Sequence, residues 1–263
     1  MTTASQSKPG QTPFGQTPTE QAPVALVTGA AHRIGAAISR TLHQRGLRLA
    51  LHCHTSTDAA QQLAREFNQQ RPDSAQVVVT DLADLDAVCR LPQAVIDQWG
   101  QLDVLVHNAS SFFPTPVATA TAEQWDDLFN SNLRGPFFLS QAAAPALQAR
   151  GGSIVCLVDI HADKPLRDHS LYCMAKAGLV MMVKSLAKEL APAVRVNGVA
   201  PGYILLPPDG MDEAIQVTIL ERTALARRGD PSDVAGAVAY LALDAPYVSG
   251  QILAVDGGRS LHM

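Results

Sequence analysis

The 263-residue chain has no basic face: its net charge is -4, its 20 Lys and Arg are scattered, and only 17% of its residues are charged. A phosphate backbone finds no complementary stripe on such a surface, which argues against nucleic acid as a partner. No run approaches the roughly 20 apolar residues that span a bilayer, so a soluble protein without a membrane partner is expected. Nor is there an apolar segment near the start that reads as a secretory signal. Met1–Pro23 is instead rich in Gln, Thr, Pro and Ser, with QTP at 11–13 and again at 16–18, and reads as a disordered tail. The chain also lacks any C-x-x-C pair. Cys53, Cys89, Cys156 and Cys173 fall in or beside apolar segments, so buried reduced thiols and a cytoplasmic location are expected. His52 and His54 have no third ligand at suitable spacing, so no metal site is expected.

Hydrophobic residues make up 47% of the sequence, enough for a large core, and no linker interrupts it after residue 23, so residues 24–263 read as one domain. Short β-branched runs at Val24–Thr28, Leu47–Cys53, Ala75–Val79, Asp103–His107, Ser153–Val158, Val194–Val199 and Gln251–Val255 read as strands. Helix-period segments separate them, near 34–45, 58–70, 84–99, 122–149, 171–191 and 231–243. Alternation of this kind gives an α/β fold: a single doubly wound, seven-stranded parallel sheet of Rossmann type with helices on both faces. Ligands of such sheets bind at the carboxyl ends of the strands, which directs attention to the loops after Thr28, Cys53, Val79, His107, Val158 and Val199.

The first of these loops is Thr28-Gly29-Ala30-Ala31-His32-Arg33-Ile34-Gly35. Gly29 and Gly35 permit a tight turn, and the amides that open the next helix, from His32 through Ile34, can face a pyrophosphate. The second strand ends in His52-Cys53-His54-Thr55-Ser56, without the carboxylate that usually holds an adenine ribose. Nothing there repels a 2′-phosphate, and His54, Thr55 and Ser56 can donate to one with His32 or Arg33 nearby, so NADP(H) is expected over NAD(H). The competing reading of His52 and His54 is a strand end with one histidine packed and the other solvated. Asp81-Leu82, after the third strand, suits either an adenine amino group or a helix cap. Asn108-Ala109, after the fourth, places a small residue where a cofactor approaches.

Tyr172 and Lys176 stand four apart beside the apolar stripe Leu171, Ala175, Leu179, Met182 and Leu186, so they project from one helix face. A phenol with an ordinary pKa of about 10 needs help to move protons near neutrality, and an ammonium close by stabilises its phenolate. Together with the Thr28–Gly35 loop, Asn108-Ala109, Asn132, Pro201-Gly202 and Val255-Asp256-Gly257-Gly258, this spacing resembles the short-chain dehydrogenase/reductase family over almost all of Val24–Gly258. The resemblance implies an NADP-dependent oxidoreductase in which Tyr172 and Lys176 are catalytic and also touch the cofactor. It further implies that Asn132 orients a relay water near Lys176, that Pro201 and Gly202 contact the cofactor, and that the chain forms a homotetramer.

Three departures from the family pattern point to the substrate. Asp159 stands where the family places a serine, thirteen residues before the tyrosine, and a carboxyl beside the phenol and away from bulk water can deliver a proton to a ring nitrogen. A cap for the loop before the helix is its bland alternative. Arg33 replaces the middle glycine of the cofactor loop, and Ser110-Ser111-Phe112-Phe113-Pro114-Thr115-Pro116 follows Asn-Ala where another glycine is usual. With L-H-C-H-T-S and P-G-Y-I-L-L, these segments resemble the pteridine reductases within the family. That likeness implies reduction of a pterin or folate C=N bond, with Phe112 stacked on the bicyclic ring, Arg33 and Ser110 at its polar edge, and Asp159 and Tyr172 supplying the proton. Phe113 suits the core. A carbonyl or alcohol dehydrogenase of the same family is the nearest rival, and a non-catalytic NADP(H)-binding sensor is a more distant one. The Pro-rich segment Leu206–Gly210 is expected to form part of a substrate-side lid.

Overall fold

A computed structural model describes residues 21–206 and 210–262, so most of the expected tail and the centre of the expected lid lie outside the described residues. Residues 21–23 belong to the folded body: the Pro23 carbonyl accepts from the Arg48 amide at 2.8 Å, and the Ala22 carbonyl accepts from Gln101 Nε2 at 3.1 Å.

All seven expected strands are present, as β1 (Val24–Val27), β2 (Arg48–Cys53), β3 (Ala75–Val79), β4 (Val104–His107), β5 (Ser153–Leu157), β6 (Arg195–Pro201) and β7 (Ile252–Val255). They form one sheet in the order β3-β2-β1-β4-β5-β6-β7, and every neighbouring pair is parallel. β1 and β4 consist wholly of buried residues, and apolar clusters occupy both faces of the sheet. The run of strands reverses direction between β1 and β4, so the crevice beyond their carboxyl ends is left open for a ligand.

The helices follow their apolar periods. α1 (Arg33–Gln44) buries Gly35, Ile38 and Leu42, while α2 (Thr57–Gln70) and α3 (Leu85–Trp99) flank β2, β3 and β1. The single helix expected over 122–149 is α4 (Ala122–Phe129) and α5 (Gly135–Arg150), joined by a π turn at Asn130–Arg134. A π turn widens the helix by one residue, and such turns gather at functional sites. α6 (Ser170–Glu189) buries the whole expected stripe together with Tyr172 and Lys176. This helix is long and apolar enough to cross a membrane, contrary to the expectation that no stretch is, yet more than half of its apolar window is buried within the protein. Its composition reflects packing against β6 and α4.

α7 (Glu213–Glu221) was not expected, and α8 (Pro231–Ala239) is the last α-helix among the described residues, continued by a π turn at Tyr240–Asp244. α7 buries none of its residues, so no 3.6-residue stripe marks it in the sequence. Of the cysteines, Cys53, Cys156 and Cys173 are buried and free as expected, whereas Cys89 is exposed on α3.

Candidate active site

Two hollows lie side by side at the carboxyl ends of the strands. The larger, about 750 Å³, runs past the start of α1 and the ends of β2, β3 and β4. The smaller, about 220 Å³, holds Asp159, Tyr172, Lys176, Pro201 and Gly202. Arg33, Ile34, Asn108 and Ser110 line both, so the hollows share a wall. Gly29, His32, Gly35, His54, Thr55, Ser56, Asp81, Leu82 and Ala109 complete the expected cofactor set in the larger one.

The loop after β1 is built for close packing. Thr28 Oγ1 accepts from the amides of Asn108 and Ala109 at 2.9 and 3.1 Å, and Asn108 Nδ2 donates to the carbonyls of Thr28 and Gly29, each at 2.9 Å. A Cβ on Gly35 would lie 2.1 Å from the Gly29 carbonyl oxygen, so only glycine fits there. Arg33 has φ +52°, in the left-handed region that glycine enters freely and other residues enter at a cost of roughly 1–2 kcal/mol. It occupies the usual glycine position while keeping the glycine conformation, and its Nη2 donates to the Leu206 carbonyl at 2.9 Å. The start of α1 has neither a side-chain cap from His32 nor an acid in its first turn. Its free amides and positive dipole end therefore fit a pyrophosphate, and the groove beside them is long enough to continue to His54, Thr55 and Ser56.

The two histidines after β2 divide as the packed-and-solvated reading expects. His52 is buried: its Nδ1 accepts from the Gly29 amide at 3.3 Å, and its Nε2 donates to the Thr80 carbonyl at 3.0 Å. Burial pushes its pKa down to about 4, so the ring is neutral and braces the cofactor loop against β3. His54 stands open on the rim, 3.8 Å from Asp81. Asp81 is no helix cap. Its Oδ1 takes the Ala83 amide at 2.9 Å in the preceding turn, and Asp84 caps α3 by accepting from Ala87 at 3.0 Å.

In the smaller hollow Tyr172 Oη donates to Asp159 Oδ2 at 2.7 Å. Asp159 Oδ1 accepts the His161 amide at 2.8 Å, so the carboxyl both caps a short 3-10 turn and holds the phenol. Burial, followed by the Asp159 charge, drives the phenol well above its ordinary range. Lys176 was expected to lower it. In the structure its Nζ donates to the Leu157 carbonyl at 2.9 Å and lies 5.7 Å from the Tyr172 ring centroid. Burial brings the lysine itself down to about 8. The phenol therefore keeps its proton across the neutral range, ready to act as an acid.

Asn132 and Phe112 line neither hollow. Asn132 is buried in the π turn, and its amide is fully used: Oδ1 accepts from Ser110 Oγ at 2.6 Å, and Nδ2 donates to the Ser111 and Leu128 carbonyls at 3.0 and 2.9 Å. It fixes the Ser110–Ser111 loop. Phe112 is 52% exposed and stacks on His169 with centroids 4.7 Å apart, while its edge meets Tyr172 at 4.8 Å. Phe113 packs into an apolar cluster with Leu171 and Tyr172, as expected of a core residue. His169 escaped the sequence reading because nothing in its spacing ties it to Phe112, 57 positions earlier. Tyr203 and Ile204, in the P-G-Y-I-L-L segment, also line the smaller hollow.

Residues 29–260 match the family model described as Enoyl-(Acyl carrier protein) reductase. Pteridine reductase 1 of Leishmania tarentolae is 37% identical over 281 residues, covering 91% of this chain and 97% of that protein. The 3-oxoacyl-(acyl-carrier-protein) reductase FabG of Staphylococcus aureus is 35% identical over 238 residues, covering 89% and 96%. Its counterpart from Thermotoga maritima is 34% identical over 239 residues, with the same two coverages of 89% and 96%.

Proposed function

This chain belongs to the short-chain dehydrogenase/reductase family of oxidoreductases, and we propose that within it the protein uses NADPH to reduce a C=N bond of a pterin or folate. The hydrogen bond of 2.7 Å from Tyr172 Oη to Asp159 Oδ2 carries this reading. A ketone gains most from a neutral hydroxyl that polarises its oxygen. A ring nitrogen is served by a phenol and a carboxyl that together hold and pass a proton.

When bound, NADPH supplies the hydride to the carbon of the C=N bond. The Tyr172 hydroxyl gives its proton to the nitrogen, which completes one N–H and one C–H across the former double bond. Lys176 offers a positive charge to the phenolate left behind, and Asp159 passes a proton from solvent back to it. Asn132 holds Ser110 in the wall shared by the two hollows. Phe112 offers an aromatic face at the mouth once His169 yields its place to the flat substrate ring. His54, Thr55 and Ser56 without a carboxylate among them support NADPH over NADH. The likeness to pteridine reductase 1 supports the pterin.

A second reading is reduction of a 3-oxoacyl thioester, favoured by relatives named for that activity at 33–35% identity. NADPH oxidation measured with dihydropterins and with an acetoacetyl thioester separates the two. Turnover confined to the dihydropterins supports the proposal, and turnover confined to the thioester overturns it. The reading includes a cytoplasmic homotetramer. Trp125, Phe137, Met174 and Met181, large apolar side chains left exposed on α4, α5 and α6, support association, which light scattering tests.

A further inference from the structure

The aromatic face beside the smaller hollow is already covered by a side chain of the protein itself. Phe112 meets the Tyr172 ring edge-on at 4.8 Å, and Tyr172 lines that hollow. His169 lies three residues before Tyr172, at the N-cap of α6, and reaches the same phenylalanine. Its imidazole is tilted only 17° from the plane of Phe112, with centroids 4.7 Å apart. The ring stacked on Phe112 is thus a flat nitrogen heterocycle, like the one the site is proposed to receive.

The backbone on both sides of this pair is fixed. Thr115 and His169 form a parallel β-bridge, and the fully buried Thr115 donates its amide to the Asp168 carbonyl. The His169 amide donates to the Leu166 carbonyl at 3.2 Å, and the His169 carbonyl accepts the Cys173 amide at 2.9 Å. Phe113 and Leu166, one from each loop, pack against the cluster of Leu128, Leu171, Tyr172 and Cys173. Separating the loops would break all of these contacts, so the face of Phe112 is freed by rotation of the His169 side chain.

That side chain is held lightly by comparison. It makes no capping bond to α6, and its one hydrogen bond among the described residues is an exposed one, from Nδ1 to the Arg167 carbonyl at 2.8 Å. Rotation of the imidazole therefore costs one stack and one solvent-accessible hydrogen bond, with the fold left intact.

We propose that His169 plugs the substrate slot: a flat ring binds against Phe112 only by displacing the imidazole, so His169 sets the affinity of the site for its substrate. A space emptied of one flat ring takes another of the same thickness. A bicyclic pterin covers more of Phe112 than an imidazole does and regains the stacking that displacement costs, whereas a saturated acyl chain does not. This assignment rests on the pterin reading above.

Calorimetric titration measures the binding of biopterin to the NADP+-loaded parent, His169→Ala and His169→Phe. Removing the competing ring is expected to tighten binding about five-fold in His169→Ala. His169→Phe returns a flat ring to the slot and should bind no more tightly than the parent. A merely structural histidine would give the reverse order, because its loss would loosen the mouth and weaken binding. Unchanged, weaker or absent binding in His169→Ala overturns the plug, as does equal tightening in both variants. Turnover of 7,8-dihydrobiopterin with NADPH by the parent decides the pterin reading separately: a parent that binds biopterin but reduces no dihydropterin defeats that reading, and the order of the dissociation constants still decides His169.

Discussion

Gly29 and His52 are joined across the first two strands: the Gly29 amide donates to His52 Nδ1 at 3.3 Å, while His52 Nε2 donates to the Thr80 carbonyl at 3.0 Å. A neutral imidazole is the one ring state that accepts at Nδ1 and donates at Nε2, so the cofactor loop depends on His52 remaining uncharged. In His52→Ala both backbone groups lose their partner, and a loss of about 2–4 kcal/mol in stability is expected. A weaker NADPH complex should accompany it. Urea unfolding and NADPH titration check the two effects.

Acid should destabilise the protein well above the range in which its carboxylates titrate. Burial lowers His52 to about 4 and His107 to about 3, from ordinary values of 6.5. Above pH 6.5 each ring is neutral whether the chain is folded or not, so neither adds a pH dependence. Below it the unfolded chain takes up protons that the folded chain refuses, and stability falls until the folded values are passed. Urea midpoints at pH 7, 5.5 and 4.5 should decline in that order, and the His52→Gln variant should decline less steeply.

Arg33 combines strain with a charge. At φ +52° it carries the cost that glycine would avoid, so Arg33→Gly should be more stable than Arg33→Ala by about 1 kcal/mol. Both should bind NADPH more weakly than the parent because both remove the guanidinium at the wall shared by the two hollows. Thermal unfolding of the pair, with NADPH titration beside it, measures both parts.

Lys176 is expected to cost stability and to sustain turnover. Its ammonium is buried, brought down to about 8, with one carbonyl acceptor at 2.9 Å. An apolar replacement of similar length removes the burden of a desolvated charge. Lys176→Met should therefore melt no lower than the parent while losing most turnover. A large fall in melting temperature would show that the lysine is structural.

The strands were legible because each β-branched run is buried within a parallel sheet, and the Tyr172–Lys176 spacing was legible because it lies on one helix face. Part of the lining of the larger hollow was legible as well: Gly29, His32 to Gly35 and His54 to Ser56 follow directly from strand ends. Pairings across long separations were not. Phe112 on His169 depends on the sheet bringing separate loops to one edge, which no local spacing encodes. α7 was invisible because it buries nothing, and the break between α4 and α5 because a π turn keeps the chain helical through Asn130–Arg134. Asn132 drew attention through its family position, but its bonds to Ser110 and Ser111 could be known only from the fold.

The pairing of Tyr172 with Asp159 is the centre of the account, and one comparison tests it: kcat/KM for NADPH-dependent reduction of a dihydropterin by the parent enzyme and by Asp159→Ser. General acid catalysis of this kind is worth roughly 10²–10⁴, so a loss of at least about 100-fold is predicted for the variant. Full activity in Asp159→Ser would contradict the role of the carboxyl, and with it the proposal that the substrate is a pterin rather than a ketone.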